Sequence, residues 1–197
     1  MLTMDSETQT SWEDFLNPDV MRNRLIAASI YIAGFEGLKD AIIERVREFF
    51  GTSLNNEISP KYKSEVLSRN RSEKFACIDW LNEMAVIDKA DVDTFDRLNA
   101  CRNRLAHELF SFLGTRGMPP DFEQCFQEMV ALLRKIEVWW IVNVEIPTNP
   151  DFDGKEIDED EIMPRSLIRL QLLCDIALGD EKKSQFYFEE FHRRAGH

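Results

Sequence analysis

Six consecutive residues, Arg102 to His107, combine the side chain types that metal-free cleavage of a phosphodiester requires. The segment reads Arg-Asn-Arg-Leu-Ala-His, and His107 is the only histidine outside the last six positions of the chain. An imidazole titrates near neutral pH, so it can accept or donate a proton under physiological conditions. A guanidinium is a permanent cation whose planar fork matches the oxygens of a phosphate group. These residue types make His107 and Arg102 candidates for catalysis, and the alternative is that they only line the surface of a helix.

Helix geometry restricts how these residues can cooperate. At roughly 100° per residue, Asn103 and His107 lie on one face of a helix, and Asn99 extends that face by one turn. Arg102 precedes His107 by five positions, so it is rotated by about 140° and displaced by about 7.5 Å along the axis. Within one regular helix, the two side chains are not expected to contact the same atom. They could converge if the helix is distorted or if two copies of the chain meet. The spacing favours a composite site formed by two copies of the chain.

The hydrophobic pattern predicts an all-α fold, a helical bundle with two long helices, shorter helices and a C-terminal helical appendage. Asp91 or Asp93 is the expected cap of the helix that carries the motif, with Gly51 and Gly114 as helix stops. Apolar residues recur at helical spacing in seven segments, which are 19–50, 60–70, 73–86, about 91–114, 122–144, 164–178 and 184–194.

These elements group into four parts along the chain. We expect a polar leader at 1–18, the helical bundle at 19–145, an acidic loop at 146–163 and a C-terminal helical extension at 164–197. The motif therefore belongs to the second long helix of the bundle.

The charge balance limits how this protein can contact nucleic acid. Its 197 residues include 36 acidic and 24 basic side chains, which gives a formal net charge of −12. Such a chain repels nucleic acid at long range, because polyanion binding depends on neutralisation of phosphates by Lys and Arg. Any action on RNA therefore requires a local basic cleft.

Cysteine spacing and hydropathy indicate an intracellular protein. The four cysteines are far apart and form no C-x-x-C pair, so we expect reduced thiols, with neither a metal site nor a cofactor. The first residues do not form a signal peptide, and the longest apolar run, Val138 to Val142, is far below the roughly 20 residues of a membrane span. We expect a cytoplasmic protein that does not contact a membrane.

The acidic loop partly matches a calcium-binding loop of the EF-hand type. Asn149, Asp151, Asp153 and Gly154 stand at positions one, three, five and six of that pattern. Position twelve is Asp160 instead of the bidentate glutamate, so the match decays along the loop. A solvated acidic linker is the favoured interpretation.

The motif in its helical setting resembles the R-x(4–6)-H motif of the HEPN superfamily, in which a polar residue, commonly Asn, follows the arginine. The resemblance covers roughly residues 19–145. It implies a metal-independent endoribonuclease, often a toxin of a toxin–antitoxin system or an anti-phage defence effector. Such proteins work as homodimers with two facing motifs. The implied partners are an RNA substrate, a second copy of the chain and an antitoxin or other regulatory protein.

The resemblance also implies roles for individual side chains. His107 would act as general base or acid on the ribose 2′-hydroxyl or the leaving oxygen. Arg102 would stabilise charge on the phosphorane, and Asn103 would orient one of these groups or the phosphate. Arg104 and Asn99 would contact RNA. The products would end in a 2′,3′-cyclic phosphate, and DNA would be inert because it lacks the nucleophile.

Three residues of the first long helix are candidates for supporting this site, namely Tyr31, Glu36 and Lys39. A solvated surface or a salt bridge between helices is the favoured interpretation of Glu36 and Lys39. Many HEPN toxins carry a tyrosine two positions after the histidine as an adenylylation target, whereas this chain has Leu109 there. That mode of silencing is therefore excluded at this position.

A second function class remains open from the sequence. The charge of −12 and the acidic segment also suit a non-catalytic helical module that binds other proteins.

Overall fold

The computed structural model of the protein describes residues 6–51, 58–114 and 116–195, and within these ranges the fold is all-α, as predicted. The first five residues of the predicted leader, most of the turn after residue 51, and residues 115, 196 and 197 lie outside the described residues. The helices are, in chain order, α1 (Ser6–Leu16), α2 (Pro18–Phe50), α3 (Pro60–Tyr62), α4 (Glu73–Glu83), α5 (Lys89–Leu113), α6 (Phe122–Trp140), α7 (Arg165–Leu178) and α8 (Glu181–Ala195).

Two helices continue as a wider π turn, at Lys63–Leu67 after α3 and at Ile141–Glu145 after α6. Three short 3₁₀ turns, Ile146–Thr148, Pro150–Phe152 and Glu159–Glu161, lie in the predicted acidic loop. The predicted bundle and the C-terminal helices are thus joined by irregular, mostly exposed backbone.

Local sequence defines both ends of the long helix α2. The side chain of Asn17 accepts a hydrogen bond from the backbone N–H of Asp19 at 3.0 Å, which satisfies a donor that the first turn leaves free. Pro18 stands in the first turn, where its missing N–H is not needed. The helix ends at Phe50, before Gly51, whose φ of 74° is favoured by glycine.

The motif helix α5 begins with a different cap from the two that we expected. The carboxylate of Asp88 accepts from the backbone N–H of Asp91 at 3.0 Å, and the carboxylate of Asp91 accepts from the N–H of Asp88 at 2.8 Å. This reciprocal pair is a capping box, so Asp91 and Asp93 lie inside the helix. The apolar period does not start until Val92, which made the later aspartates look like the boundary.

Helices α2, α5 and α6 form the centre of the core. Phe35 of α2 and Phe95 of α5 are both buried and stack with their ring centroids 5.8 Å apart. Gly34 allows α6 to come close to α2, because a Cβ at this position would lie 2.6 Å from the terminal methyl carbon of Met129. These contacts hold α2 and α5 side by side and bring the polar residues at their edge to one surface.

Helix α4 is fixed against α2 by a paired carboxylate. Arg47 of α2 donates two hydrogen bonds to Glu73, at 2.8 and 2.7 Å, and the hydroxyl of Tyr62 donates to the same carboxylate at 2.9 Å. Glu73 opens α4, so this arrangement also fixes the next residue, Lys74.

The predicted polar leader contains a helix. Helix α1 packs on α2, and Asp14 of α1 accepts from Arg24 of α2 at 2.6 Å. The polar composition concealed this element, because its support comes from a partner helix more than from its own apolar residues.

The two C-terminal helices are attached to the bundle in sequence. Helix α7 packs on α2 through the buried Leu167 and Leu170, whereas α8 packs on α7 and has no buried residue. The hydroxyl of Tyr187 on α8 donates to Asp175 on α7 at 2.9 Å. None of the helices in the described ranges is long and apolar enough to cross a membrane.

Candidate active site on helix α5

Arg102 connects the motif to the first long helix. Its guanidinium donates to Oε1 of Glu36 from Nη2 at 2.8 Å and from Nε at 3.2 Å. A third contact, from Nη1 to Oδ1 of Asn103, is long at 3.5 Å. The Arg102 side chain retains 31% of its exposure and the Glu36 side chain 34%, so this pair lies at the surface. The interhelical salt bridge left open by the sequence is present.

Lys39 lies on the opposite side of the same carboxylate. Its ammonium donates to Oε2 of Glu36, one turn earlier on α2. Hydrogen bonds from Lys39 and then Arg102 lower the pKa of Glu36 below its ordinary value of 4.5, against the opposing effect of partial burial. Glu36 is therefore ionised at neutral pH and shared between two cations.

A third cation, Lys74 of α4, completes the group and was not predicted. Its ammonium donates to Oδ1 of Asn99 at 2.7 Å and lies over the ring of Phe75, 4.8 Å from the centroid. Burial lowers the pKa of Lys74, and the nearby charges of Lys39 and Arg102 lower it further. We refer to Lys39, Lys74, Arg102 and Glu36 as the cation cluster.

One signal in the sequence pointed toward Lys74. A basic residue in the first turn of a helix opposes the helix dipole, so its presence there needs another reason. Lys74 and Asn99 are 25 positions apart in the chain, and the spacing of apolar residues does not predict such a pairing. Asn99 was predicted to contact RNA, and in the structure it holds this lysine.

His107 lies on an open face of the same helix. The imidazole of His107 is exposed and has no hydrogen-bond partner among the described residues. The side chain of Asn103, one turn earlier, is exposed as well. Phe110, one turn later, is 89% exposed, which is unusual for an aromatic side chain in a helix. We refer to Asn103, Ala106, His107 and Phe110 as the α5 face.

Two of the predicted site residues lie elsewhere. Arg104 is rotated by about 200° from Arg102 and pairs with Asp121, which precedes α6, at 2.6 and 2.9 Å. Tyr31 is fully buried, its hydroxyl donates to the backbone carbonyl of Leu98 at 3.1 Å, and burial raises its pKa. Tyr31 fastens α2 to α5 from inside the core and does not reach the cation cluster.

The cation cluster and the α5 face form an open surface. Two clefts of about 360 Å³ each lie on other parts of the molecule, one between α2, α6 and α7 and one beside the 3₁₀ turns. An open surface at which three helices meet is accessible to a long polymer, whereas a closed pocket admits only a small ligand.

The acidic loop takes up a local structure of its own. Asn149 accepts from the backbone N–H of Asp151 at 3.1 Å and so caps the 3₁₀ turn at Pro150–Phe152. Across the described ranges, no group of three or more His, Cys, Asp or Glu side chains is arranged to hold a metal ion. The side chain of Asn149, the first position of the calcium pattern, thus contributes to turn geometry.

Comparison with known proteins yields no relative for this chain. No protein-family model, no curated protein and no solved structure matches it. The function must therefore be argued from the residues themselves.

Proposed function

We propose that this protein is a metal-independent endoribonuclease of the HEPN type, which acts as a toxin or anti-phage defence effector and cleaves RNA at a composite site in a homodimer. The observation that carries the proposal is the convergence of Lys39, Lys74 and Arg102 at one end of the α5 face. Such a cluster, in a chain of charge −12, is the local basic surface that RNA binding requires.

The proposed reaction uses groups on the α5 face. A neutral His107 takes the proton of a ribose 2′-hydroxyl, whose oxygen attacks the adjacent phosphorus and forms the cyclic phosphodiester bond. The bond to the 5′-oxygen breaks, and the protonated His107 of the second subunit donates the proton that this oxygen needs. Arg102 stabilises the additional negative charge on the phosphorane oxygens, and Asn103 orients the phosphate. One proton leaves the 2′-hydroxyl and one is given to the 5′-oxygen, so this step balances without a metal.

The exposure of the α5 face supports a homodimeric site. Phe110 presents almost its entire ring to solvent, and Ala106 beside it is small enough to permit close approach of a second helix. Two copies packed through this face would bring their His107 side chains near each other. The offset of Arg102 and His107 along one helix would then be bridged across the subunit boundary.

The direct test is cleavage of RNA by the purified protein in excess EDTA. We expect fragments that end in a 2′,3′-cyclic phosphate and no cleavage of an oligonucleotide with 2′-deoxyribose at the cleaved position. Failure to cleave any RNA tested, or full activity in both His107→Ala and Arg102→Ala, would overturn the proposal.

Mixing the two variants tests the composite site. His107→Ala and Arg102→Ala dimers, each strongly impaired alone, should recover part of the activity after subunit exchange. A mixed dimer retains one of the two histidines together with the arginine of the other chain, so it lacks only the second imidazole that transfers a proton. A mixture that stays inactive although mixed dimers form would contradict a shared site.

A second candidate, a non-catalytic module that binds other proteins, is favoured by the exposed apolar surface of the C-terminal helices. Phe186, Phe188 and Phe191 of α8 are 56%, 68% and 67% exposed. A pull-down that recovers one stoichiometric partner, equally with His107→Ala and not with Phe191→Ser, would favour this function. Recovery that depends on His107 would count against it.

A further inference from the structure

The cation cluster brings three basic side chains together around a single carboxylate. Arg102 and Lys39 share one carboxylate, Glu36, while Lys74 has no acidic hydrogen-bond partner among the described residues. Asp96 contributes only an electrostatic attraction to Lys74. Three cations thus converge where a single carboxylate makes direct contact, although the chain as a whole carries an excess of acidic residues.

The contacts of Glu36 match those that a phosphate would make. Arg102 reaches one oxygen of Glu36 through Nε and Nη2, and Lys39 reaches the other oxygen. Arginine uses this side of its guanidinium to bind phosphate oxygens, and lysine acts beside it as a point charge. The two carboxylate oxygens therefore stand in the positions that two non-bridging oxygens of a phosphodiester would take.

Glu36 can be displaced at low cost. About a third of its side chain and of its partners' side chains is exposed, and ion pairs at such a surface stabilise a protein by only about 0–1 kcal/mol. Among the described residues, only Lys39 and Arg102 hold the carboxylate of Glu36 by hydrogen bonds.

Lys74 is held in place without a counter-ion. Asn99 accepts its hydrogen bond at 2.7 Å, and the rings of Phe75 and Phe95 lie beneath the ammonium, with centroids at 4.8 and 5.7 Å. A neutral amide and aromatic faces position a cation without bringing a carboxylate into direct contact with it. Glu36 and Asp96 act on Lys74 only through electrostatic attraction. An ordered cation of this kind is available to an anionic ligand.

We propose that Lys39, Lys74 and Arg102 form a binding site for a backbone phosphate of RNA, and that Glu36 occupies this site as an internal anion until RNA displaces it. The choice of RNA as the ligand rests on the proposed function above. The site itself rests on the arrangement of the three cations around Glu36. Glu36 thereby weakens RNA binding in the free enzyme and excludes ligands that lack several phosphates.

Binding can be measured without cleavage by using a fluorescent 2′-O-methyl RNA oligonucleotide, whose nucleophile is blocked. We expect Glu36→Gln to lower the Kd by up to about fivefold, because the amide no longer competes for Arg102 and Lys39. The matched control is Glu44→Gln, two turns further along α2, where the glutamate pairs with Arg47 in the same i, i+3 relation. An equal change in both variants would reflect net charge alone and would overturn the proposal.

The salt dependence of binding tests Lys74. Lys74→Met keeps the length of the side chain and should weaken binding and reduce the slope of log K against log salt by about 0.7, the value for one lost contact to single-stranded RNA. Lys61→Met is the control, since Lys61 is exposed and pairs only with Glu65 in the next turn. Identical slopes in the two variants would remove Lys74 from the site. Thermal melts establish that each variant is folded.

Competition with smaller anions separates RNA from free phosphates as the source of the ligand. We expect inorganic phosphate and adenosine monophosphate at millimolar concentration to displace the oligonucleotide only weakly. Full displacement by either would overturn the RNA part of the proposal and assign the site to a small phosphate compound.

The outcomes also separate this site from the nuclease function. Suppose that cleavage requires His107 but that Glu36→Gln and Glu44→Gln change RNA binding equally. This result would support the nuclease function and overturn the phosphate site. The expected binding changes without cleavage of any RNA would leave the phosphate site and overturn the nuclease.

Discussion

Helices α5 and α8 each present an exposed histidine beside arginines, but the two settings differ. On α8, the ring of His192 packs against Phe188 with centroids 4.4 Å apart. Arg193 and Arg194 both bond Glu190 in the preceding turn, at 2.6 and 2.7 Å. All of these contacts are local to one helix, and both arginines share the single carboxylate of Glu190.

On α5 the corresponding contacts come from other helices. Arg102 bonds Glu36 of α2, and Asn99 holds Lys74 of α4. His107 is exposed and has no hydrogen-bond partner among the described residues. A histidine next to arginines is therefore not by itself a candidate active site. What distinguishes α5 is the set of cations that the tertiary fold brings to it.

Substitution of each histidine by alanine should give the largest difference in RNA cleavage rate between α5 and α8. His107→Ala should reduce RNA cleavage by about 100- to 10,000-fold, the usual contribution of a general acid or base. His192→Ala should leave the rate within about twofold of the parent, because among the described residues its imidazole contacts only the rings of Phe188 and Phe191, edge-on. The measurement is the single-turnover cleavage rate in EDTA. Equal losses in both variants would abolish the distinction between the two helices.

Substitution of one arginine on each helix should show the same difference between α5 and α8, with a somewhat smaller loss of cleavage rate. Arg102→Ala should lower the cleavage rate by about 100- to 1,000-fold through loss of charge stabilisation on the phosphorane. Arg102→Lys should recover only part of it, since an ammonium lacks the planar fork. Arg193→Ala removes a cation that bonds only Glu190, and its rate should be close to that of the parent. A strong defect in Arg193→Ala would place α8 in the active site.

Stability should differ between the two regions as clearly as activity. Phe95 has no exposed surface and stacks on Phe35, so Phe95→Ala should lower the free energy of unfolding by about 3–5 kcal/mol. Phe191 on α8 is 67% exposed, and Phe191→Ala should change it by less than about 0.5 kcal/mol. Urea denaturation measures both values. A large loss from Phe191→Ala would mean that α8 is covered in solution.

The smallest expected effect is a pH dependence of stability at Glu36. Its pKa is lowered in the folded protein by Lys39 and Arg102, so its contribution is present above the unfolded pKa, near 4.5, and is lost as pH falls through the lower folded value. The difference in Tm between the parent and Glu36→Gln should therefore shrink as the pH falls from 5 toward 3. A difference that grows over this range would contradict the ion pairs.

Glu190 serves as the local counterpart in that experiment. Arg193 and Arg194 lower its pKa in the same direction, but the contacts join residues of one helix. Glu190→Gln should consequently change the Tm less than Glu36→Gln, which removes a link between α2 and α5.

Much of the fold followed from the spacing of apolar residues. The helices α2, α5, α6 and α7 begin and end within a few residues of the predicted positions, because their buried faces recur at the helical period and glycine or proline marks their ends. Helix α1 and the Asp88 cap of α5 were missed. Both depend on polar contacts that leave no apolar pattern in the sequence.

The candidate site was predictable only in part. The shared face of Asn103 and His107 follows from their positions on one helix. A salt bridge between helices was one of two interpretations left open for Glu36, and its partner Arg102 was not predicted. Arg104 and Tyr31 illustrate the limit. The type of each side chain suits a site, but its direction is decided by what packs beside it, which is Asp121 for one and the core for the other.

The sequence by itself determined the all-α class, the helix that carries the motif and the four-residue spacing of Asn103 and His107. Those properties depend on neighbours within one or two turns, which periodicity records. Only the tertiary structure decided that Lys74 joins Lys39 and Arg102 and that Glu36 lies between two of these cations. Residues 25 to 66 positions apart meet because the helices pack in one particular arrangement, and apolar spacing does not encode which polar edges then coincide.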